Sequence, residues 1–369
     1  MGAAPLEGNA VRIVTILLVG LVGWAVPTIQ RAYAAEPAGT AHPTAPESRQ
    51  VVMVVVGAAG TPEYATQFTA WAKLWEQACT KSNARYVAVG LDEPGASTDR
   101  AKVQDVLTDL KTEDRGQKAE DGAPKAEPSS ALWLVLIGHG TFDGRTAKFN
   151  LRGPDLSAND LAEWLKPLHR PIAVIDAASS SAPFLKELSF PGRIIITATK
   201  SGFEQNYTRF GQYLAEAIID PKADLDKDGQ TSLLEAFLYA SHAVQQFYTA
   251  AGRLATEHAL LDDNGDSLGT PAEWFRGLRP VQRARDGASL DGYRAHQLHL
   301  LPSPGEAALP PEVRVKRDQL ELQVMELRDT RAKLSDDEYF AKLEPLLREI
   351  AQIYAQMDES SSSNKSQPQ

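Results

Sequence analysis

Two apolar runs of the sequence end in residues that could take part in chemistry. The run 131–137 is followed by glycine, His139 and glycine, and flanking glycines let a histidine project from a tight turn. The run 172–175 is followed by Asp176 and by the small residues of 177–181, beside which a ligand could approach the backbone. A single histidine is more often structural than catalytic, but α/β proteins place reactive groups at the carboxyl ends of their parallel strands. His139 is therefore a candidate site residue.

The segment 224–235, called the first acidic loop below, has the residue pattern of an EF-hand calcium loop. Oxygen-bearing side chains occupy loop positions 1, 3, 5, 9 and 12, glycine occupies position 6, and position 7 would bind through its backbone carbonyl. Predicted helices at 208–219 and 232–250 flank the loop. The alternative is an acidic helix N-terminus that only favours the helix dipole. The predicted Ca²⁺ ligands are Asp224, Asp226, Asp228, Gln230, Ser232 and Glu235.

A weaker pattern, the second acidic loop at 262–273, repeats these ligand offsets 38 residues further on. Ser267 stands where the glycine should be, and Pro271 is expected to distort the loop. Calcium binding and a plain polar turn therefore both stay open for this segment. Its candidate ligands are Asp262, Asn264, Asp266, Thr270 and Glu273.

The composition excludes several other kinds of site. The single cysteine, Cys79, rules out a disulfide framework, a multi-cysteine zinc site and an iron–sulfur cluster, and its place on an apolar helical stripe with Phe68 and Trp75 favours a buried structural role. The turn 57–60 lacks both the third glycine of a dinucleotide motif and the Gly-Lys-Ser/Thr of a P-loop. A net charge of -10 without a Lys/Arg-dense stretch argues against nucleic acid. We expect calcium, and no nucleotide, zinc or haem.

The elements that must position these residues form an α/β pattern. Continuous apolar runs alternate with helical patterns, as expected for strands that are covered on both faces. The right-handed crossover rule then predicts one α/β domain over 51–275, with a mainly parallel sheet and helices on both faces. The charged segment 113–130 has no large apolar residue, which predicts an exposed loop. The predicted strands are 51–56, 85–91, 131–137, 172–176 and 193–199.

At the ends of the third and fourth strands the sequence resembles the legumain-type and caspase-like cysteine peptidases, a superfamily that includes peptidase C13. In that superfamily one strand ends in His-Gly, and the next ends in a motif of the form acid-Ala-Cys-x-Ser-Gly. Here His139 with the following glycine matches the first motif, and Asp176, Ala177 and Ser180 match the second. The resemblance covers about residues 50–275. It implies a caspase-like fold and cysteine-type endopeptidase chemistry.

The match departs from the family at the residue that would do the chemistry. Ala178 stands where the nucleophilic cysteine should be, 39 residues after His139, and alanine has no nucleophilic atom. The resemblance also implies that the N–H groups of Gly140 and Ala178 would stabilise an oxyanion or bind a ligand. We therefore expect a catalytically inactive peptidase homologue with a calcium-stabilised role, either binding a peptide or protein ligand at the strand ends or purely structural. The alternative is an active peptidase that uses His139 with Ser179 as substitute nucleophile.

The N-terminal residues are predicted to lie outside this domain. Residues 1–34 have the pattern of a signal peptide, with an uncharged run at 13–26 and an A-x-A cleavage site, and 35–50 predict a flexible lead-in. We expect a secreted or periplasmic protein. The alternative is a membrane tether formed by an uncleaved N-terminal segment.

The C-terminal residues are predicted to be mainly helical. Residues 276–311 are rich in Arg, Gly and Pro without clear periodicity, which predicts a linker. Residues 312–357 carry apolar residues at heptad and helical spacings, which predict a helical hairpin of coiled-coil type. This hairpin could pack on the α/β domain or self-associate with a second chain. The tail 358–369 is predicted to be disordered.

Overall fold

The computed structural model describes residues 49–116, 131–286 and 288–363. The predicted signal segment 1–34 and all but the end of the lead-in lie outside these ranges. The strands are β1 Val51–Val56, β2 Arg85–Val89, β3 Leu132–Ile137, β4 Gly140–Phe142, β5 Ala147–Phe149, β6 Leu156–Ser157, β7 Ile172–Asp176, β8 Arg193–Thr197, β9 Leu260–Asp262, β10 Thr270–Pro271, β11 Phe275–Arg276 and β12 Arg279–Pro280. The helices are α1 Pro62–Ser82, α2 Asp99–Gly116, α3 Ala158–Leu165, α4 Ala182–Leu188, α5 Phe210–Ala217, α6 Leu233–Ala250, α7 Tyr293–Gln297, α8 Pro304–Ala307, α9 Pro311–Asp329 and α10 Asp336–Ser363.

The central sheet has the strand order β10-β9-β8-β7-β3-β1-β2. Its five strands from β8 to β2 are parallel. The apolar runs of β1, β3, β7 and β8 are buried because helices cover both faces, whereas β2 at the end of the strand order is only partly buried. One face packs against α1, α5 and α6 through side chains such as Trp75 and Phe237. The other packs against α2, α3 and α4 through side chains such as Leu107 and Phe184. The predicted mainly parallel sheet with helices on both faces is confirmed.

The two strands at one edge of the sheet differ from the sequence prediction. β9 pairs antiparallel with β8, and β10 pairs antiparallel with β9. Both are short, and the residues between them are those of the second acidic loop, so no apolar run signals either strand. The first residues of the predicted exposed loop 113–130 are helical, because α2 continues to Gly116, and 117–130 lie outside the described residues.

The segment 276–311, which the sequence predicts as a linker, carries the short helices α7 and α8 and packs on the domain. Ala295 and Leu300 in this segment are buried, and Leu298 O accepts a hydrogen bond from Leu233 N at 2.8 Å. Apolar residues do not recur in this segment at helix or strand spacing, because short turns make its contacts with the domain. It is therefore a packed part of the fold.

The predicted C-terminal helical hairpin is formed by α9 and α10. Only residues 330–335 connect the two helices, and Lys316 near the start of α9 forms an ion pair with Glu349 in α10 at 3.0 Å, so the helices run antiparallel. Leu320 and Ile353 are buried at 7% exposure each. Helix α10 continues to Ser363, so 358–363, predicted as disordered, are helical, and 364–369 lie outside the described residues. No helix in the described ranges is long and apolar enough to cross a membrane.

Candidate functional site

The turns that follow β3 and β7 meet at the carboxyl ends of the parallel strands, called the strand-end edge below. The two strands are neighbours, with Leu136 level with Asp176, so His139 and Ala178 follow the ends of adjacent strands. The turns approach so closely that a Cβ atom on Gly140 would lie 2.1 Å from the carbonyl oxygen of Ser179. Glycine is required at position 140 because any side chain there would collide with backbone.

Ala178 lies under this edge rather than on it. Its exposure is 1%, and it belongs to the apolar cluster that includes Phe149 and Phe184. A methyl group is the whole side chain at this position. The position that the resemblance assigns to a nucleophile therefore contributes only to packing.

The hydroxyl of Ser179 is held by the opposite turn. Ser179 Oγ accepts a hydrogen bond from Gly140 N at 3.2 Å and is within donating distance of Gly140 O, also at 3.2 Å. Its exposure is 3%. The imidazole of His139 contacts a different partner, with Nε2 3.3 Å from Ala59 O. Within the described residues the structure brings His139 and Ser179 to the same edge without a hydrogen bond between them.

The two backbone N–H groups that were expected to face a ligand are both engaged within the chain. Gly140 N donates to Ser179 Oγ, and Ala178 N donates to Asp176 Oδ1 at 3.1 Å. Asp176 is 1% exposed, and its Oδ2 is buried without a partner in the described residues. Burial raises the pKa of Asp176 to about 7. This carboxyl therefore positions the Ala178 amide, and the geometry of an open oxyanion site is not formed.

An aromatic wall, formed by Tyr64, Phe68, Trp71 and Tyr207, stands beside His139. The imidazole packs edge-on against Tyr64 and Phe68, with ring centroids 4.8 and 5.3 Å apart. Tyr207 stacks on Tyr64 at 4.9 Å, and its hydroxyl hydrogen-bonds to Gln67. The wall depends on α1, which starts at Pro62 behind the N-cap Thr61. It gives the strand-end edge a partly exposed surface suited to apolar or planar groups.

The loop after β8 covers the other side of the strand ends. Glu204 O accepts a hydrogen bond from Ser180 N at 2.8 Å, and Ser180 adopts φ +56°, the left-handed conformation that non-glycine residues rarely adopt. Phe203 on this loop is 72% exposed and packs edge-on against Phe142 with centroids 5.3 Å apart. The sequence gives no signal for this loop or for the strain at Ser180, since both depend on tertiary contacts.

The first acidic loop brings three of its predicted ligands together. Oxygen atoms of Asp224, Asp226 and Glu235 lie within 4.8 Å of one another. Burial, with Asp228 and Glu235 nearby, raises the pKa of Asp226. These three carboxylates fit a hard cation with oxygen ligands such as Ca²⁺.

The other predicted ligands of this loop have additional or different roles. Asp228 Oδ2 accepts a hydrogen bond from the amide of Gln230 at 2.9 Å, and Gln230 Oε1 accepts one from Ser303 N, which leaves the Gln230 backbone carbonyl for the cation. Ser232 is buried and is the N-cap of α6 in a capping box with Glu235. Ser232 therefore fixes the start of the helix, and its hydroxyl donates to Glu235 Oε2 at 2.8 Å.

The second acidic loop folds in the same way as the first. In both loops the position-1 carboxylate accepts hydrogen bonds from the N–H groups of positions 4 and 6, position 3 accepts from position 5, and position 5 accepts from position 7. Ser267 adopts φ 65°, so it takes the glycine conformation despite its side chain, and Pro271 lies in β10 after the turn. Positive φ angles occur at positions 4 and 6 of both loops, namely Lys227, Gly229, Gly265 and Ser267.

Asp291, which the sequence spacing did not predict as a ligand, closes the second acidic loop. In the first loop, Glu235 accepts from the N–H groups of positions 2 and 3 and from the hydroxyl of position 9. In the second loop Asp291 accepts from the same three positions, including Thr270 Oγ1 at 2.5 Å. Burial and the nearby Asp263 carboxylate raise the pKa of Asp291 to about 8. Glu273, predicted for this role, is instead exposed in a short 3₁₀ turn.

The single cysteine is far from reactive. Cys79 is 2% exposed within the apolar cluster on the α1 face. Burial raises the pKa of its thiol to about 12, so the thiolate that a nucleophile needs is not formed near neutral pH.

Comparisons with known proteins give little beyond this geometry. No protein-family model matches the chain, and no curated protein matches it. The Drosophila initiator caspase Dronc is similar at 12% identity over 60% of this chain and 82% of that chain, with a TM-score of 0.34. Caspase-1 from Spodoptera frugiperda is similar at 8% identity over 59% and 87%, with a TM-score of 0.37. At such identities and TM-scores the likeness decides neither the fold nor the activity of this chain.

Proposed function

We propose that this chain is an exported homologue of the caspase/legumain-like peptidases that has lost catalysis and binds a peptide or protein ligand at its strand ends, with calcium stabilising the fold. The observation that carries the proposal is Ala178, a buried methyl group at the position of the nucleophile. The hydrogen bonds of Ser179 with Gly140 support the same conclusion. A serine that acts as nucleophile needs a base within hydrogen-bond reach, and this hydroxyl is held by backbone instead.

Ligand binding is supported by the surface around His139. The aromatic wall and the exposed Phe203 lie on either side of the strand ends. Aromatic rings supply contact area at small cost in conformational entropy, which suits recognition of an extended peptide. His139, freed from assisting a nucleophile, would contribute a polar contact at the centre of this surface.

Calcium is supported by the two acidic loops. Each has the same pattern of turn hydrogen bonds and a closing carboxylate, Glu235 in the first loop and Asp291 in the second. A cation bound between the carboxylates would offset their mutual repulsion and would stabilise the folded state by mass action. The first loop fixes the start of α6, and the second connects β9 to β10, so calcium would stabilise one helix and one sheet edge.

Export is the part of the proposal that rests on the N-terminal residues alone. The uncharged run 13–26 and the Ala32-Tyr33-Ala34 site support a cleaved signal peptide. N-terminal sequencing of the protein recovered from its natural host tests this directly. A mature chain that begins near Ala35 is expected, and an intact N-terminus on membrane-bound protein would favour the tether.

Peptide binding is tested by selecting binders from a random peptide library in the presence of calcium and measuring their dissociation constants by titration calorimetry. Tyr207→Ala is expected to weaken binding at least tenfold, because it removes the outer ring of the aromatic wall. Val281→Ala is the control, since Val281 is an apolar residue after β12 that is 44% exposed and belongs neither to the aromatic wall nor to the loop after β8. Failure to select any binder, or equal binding by Tyr207→Ala, would contradict the proposal.

A further inference from the structure

Arg193 is a buried cation without a counter-charge. It is the first residue of β8 and is 8% exposed. Its Nη1 donates to Leu188 O at 2.7 Å, and its guanidinium carbon lies 5.5 Å from the centroid of the Phe190 ring. Among the described residues no carboxylate lies within ion-pair distance, and burial alone lowers its pKa. A buried guanidinium is costly unless it is paired.

The other buried arginines of the described ranges are paired. Arg170 is 8% exposed and binds Asp114 at 2.5 Å. Arg317 is 6% exposed and binds both Asp318, at 2.6 Å, and Glu306. The chain therefore supplies carboxylates where a guanidinium is buried for structural reasons. Arg193 differs from both, which indicates that its partner comes from outside the described chain.

Arg193 faces a cavity of about 550 Å³ at the amino ends of β7 and β8. Lys166, His169 and Arg294 also line this cavity, and Ile172 and Phe190 give it an apolar wall. Glu163 and Glu187 lie on its lining but are exposed, so they are solvated rather than paired with Arg193. A smaller cavity of about 200 Å³ that reaches α9 shares Arg294 and Ile172 with this one. The site lies at the amino ends of these strands, whereas His139 lies at the strand-end edge, beyond their carboxyl ends.

We propose that this cleft binds a small organic anion, with a carboxylate or phosphate group on Arg193 and an apolar body against Ile172 and Phe190. A guanidinium presents paired N–H donors that match both kinds of anionic group. The positive charges of Lys166 and Arg294 add attraction at the mouth of the cleft. The volume is that of a typical small-molecule site. The anion supplies the negative charge that no described residue places beside Arg193.

Titration calorimetry at fixed ionic strength tests the proposal with three probes, which are inorganic phosphate, acetate and benzoate. We expect millimolar or tighter binding of at least one probe by the full chain. Tighter binding of benzoate than of acetate supports a carboxylate with an apolar body, and tightest binding of phosphate supports a phosphate ligand. Absence of binding by all three probes at millimolar concentration would overturn the proposal.

Two variants and a control link the binding to this cleft. Arg193→Gln is expected to weaken the best probe at least tenfold, and exposed Arg294→Gln, which carries little folding risk, is expected to weaken it threefold or more. Arg276→Gln is the matched control, because Arg276 is an exposed arginine outside the cavity. Binding that is unchanged in Arg294→Gln, or in a folded Arg193→Gln variant, would overturn the assignment.

Discussion

Asp176 is a buried carboxyl whose protonation is linked to folding. Burial raises its pKa to about 7 from 3.8, so the folded state holds a proton that the unfolded chain releases between these pH values. The free energy of unfolding should therefore fall as pH rises from about 4 to about 7, and the loss should be complete above that range. Asp176→Asn stays neutral and should remove this part of the pH dependence. Urea unfolding at a series of pH values measures it.

The comparison of the wild type with Asp176→Asn isolates this group from the other buried acids. The difference in unfolding free energy between the two proteins should change with pH in the window named above. Asp105→Asn is a control, since Asp105 is an exposed residue of α2. A difference that is constant from pH 4 to pH 7 would contradict the assignment of the raised pKa to Asp176.

Gly140 is the residue that lets the two strand-end turns meet. Gly140→Ala would bring a methyl group against the Ser179 carbonyl oxygen, 2.1 Å from the ideal Cβ position, and should cost about 1–3 kcal/mol of unfolding free energy. Gly95→Ala is the matched control, because a Cβ atom there would have no neighbour within 4 Å. The control should change stability by less than about 0.5 kcal/mol. Equal stability of the two variants would show that the turns can separate freely.

The sequence predicted which residues share the strand-end edge but not how they bond. Continuous apolar runs located β3 and β7, and parallel pairing then brought His139 and Ala178 together. The hydrogen bonds of Ser179 with Gly140 depend on the separation of two turns in space. That separation is set by packing of the sheet and helices, which a local pattern does not encode.

At the scale of elements, the calcium sites proposed for the two acidic loops can be tested separately. Asp224→Asn removes a position-1 ligand of the first loop, and Asp291→Asn removes the closing carboxylate of the second. We expect each variant to lose one of two calcium-binding events in a calorimetric titration. At calcium about 100 times above the dissociation constant, each intact site should add about 2.7 kcal/mol to the unfolding free energy.

Glu273→Gln is the control for this experiment, because Glu273 has the expected sequence offset but is exposed in a 3₁₀ turn, while Asp291 closes the loop. It should keep both binding events. Loss of a calcium site in Glu273→Gln and not in Asp291→Asn would contradict the assignment. Spacing along the chain could not identify Asp291, since it lies 18 residues beyond Glu273 on a different segment.

At the scale of the whole molecule, the C-terminal hairpin leaves one apolar stripe uncovered. Phe340, Leu347 and Tyr354 repeat every seven residues on α10 and are 59%, 46% and 44% exposed. An adjacent face of the helix, which carries Tyr339 and Ile353, is buried at 8% and 7% exposure. An uncovered stripe with heptad spacing favours association with a second copy of the chain, the self-association that the sequence suggested.

A pair of α10 helices from two copies would be held by the apolar stripe itself. Glu344 and Arg348 beside Leu347 are each 69% exposed and form an ion pair with each other within α10. A two-fold axis near Leu347 would bury Leu347 of each copy against the stripe of the other. Leu347→Glu should therefore abolish dimers in analytical ultracentrifugation. Lys342→Glu, on another face of the helix, should leave them intact, and dimers that persist in Leu347→Glu would contradict this interface.

The central claim is that the chain binds peptides without cutting them. The most direct measurement is mass spectrometry of a diverse peptide library after incubation with purified full-length protein and calcium, in parallel with Ser179→Ala and His139→Ala. We expect the three proteins to give the same products as buffer alone, because Ala178 supplies no nucleophile and Ser179 is bonded to Gly140. Cleavage by the wild type that is lost in Ser179→Ala or His139→Ala would contradict the account.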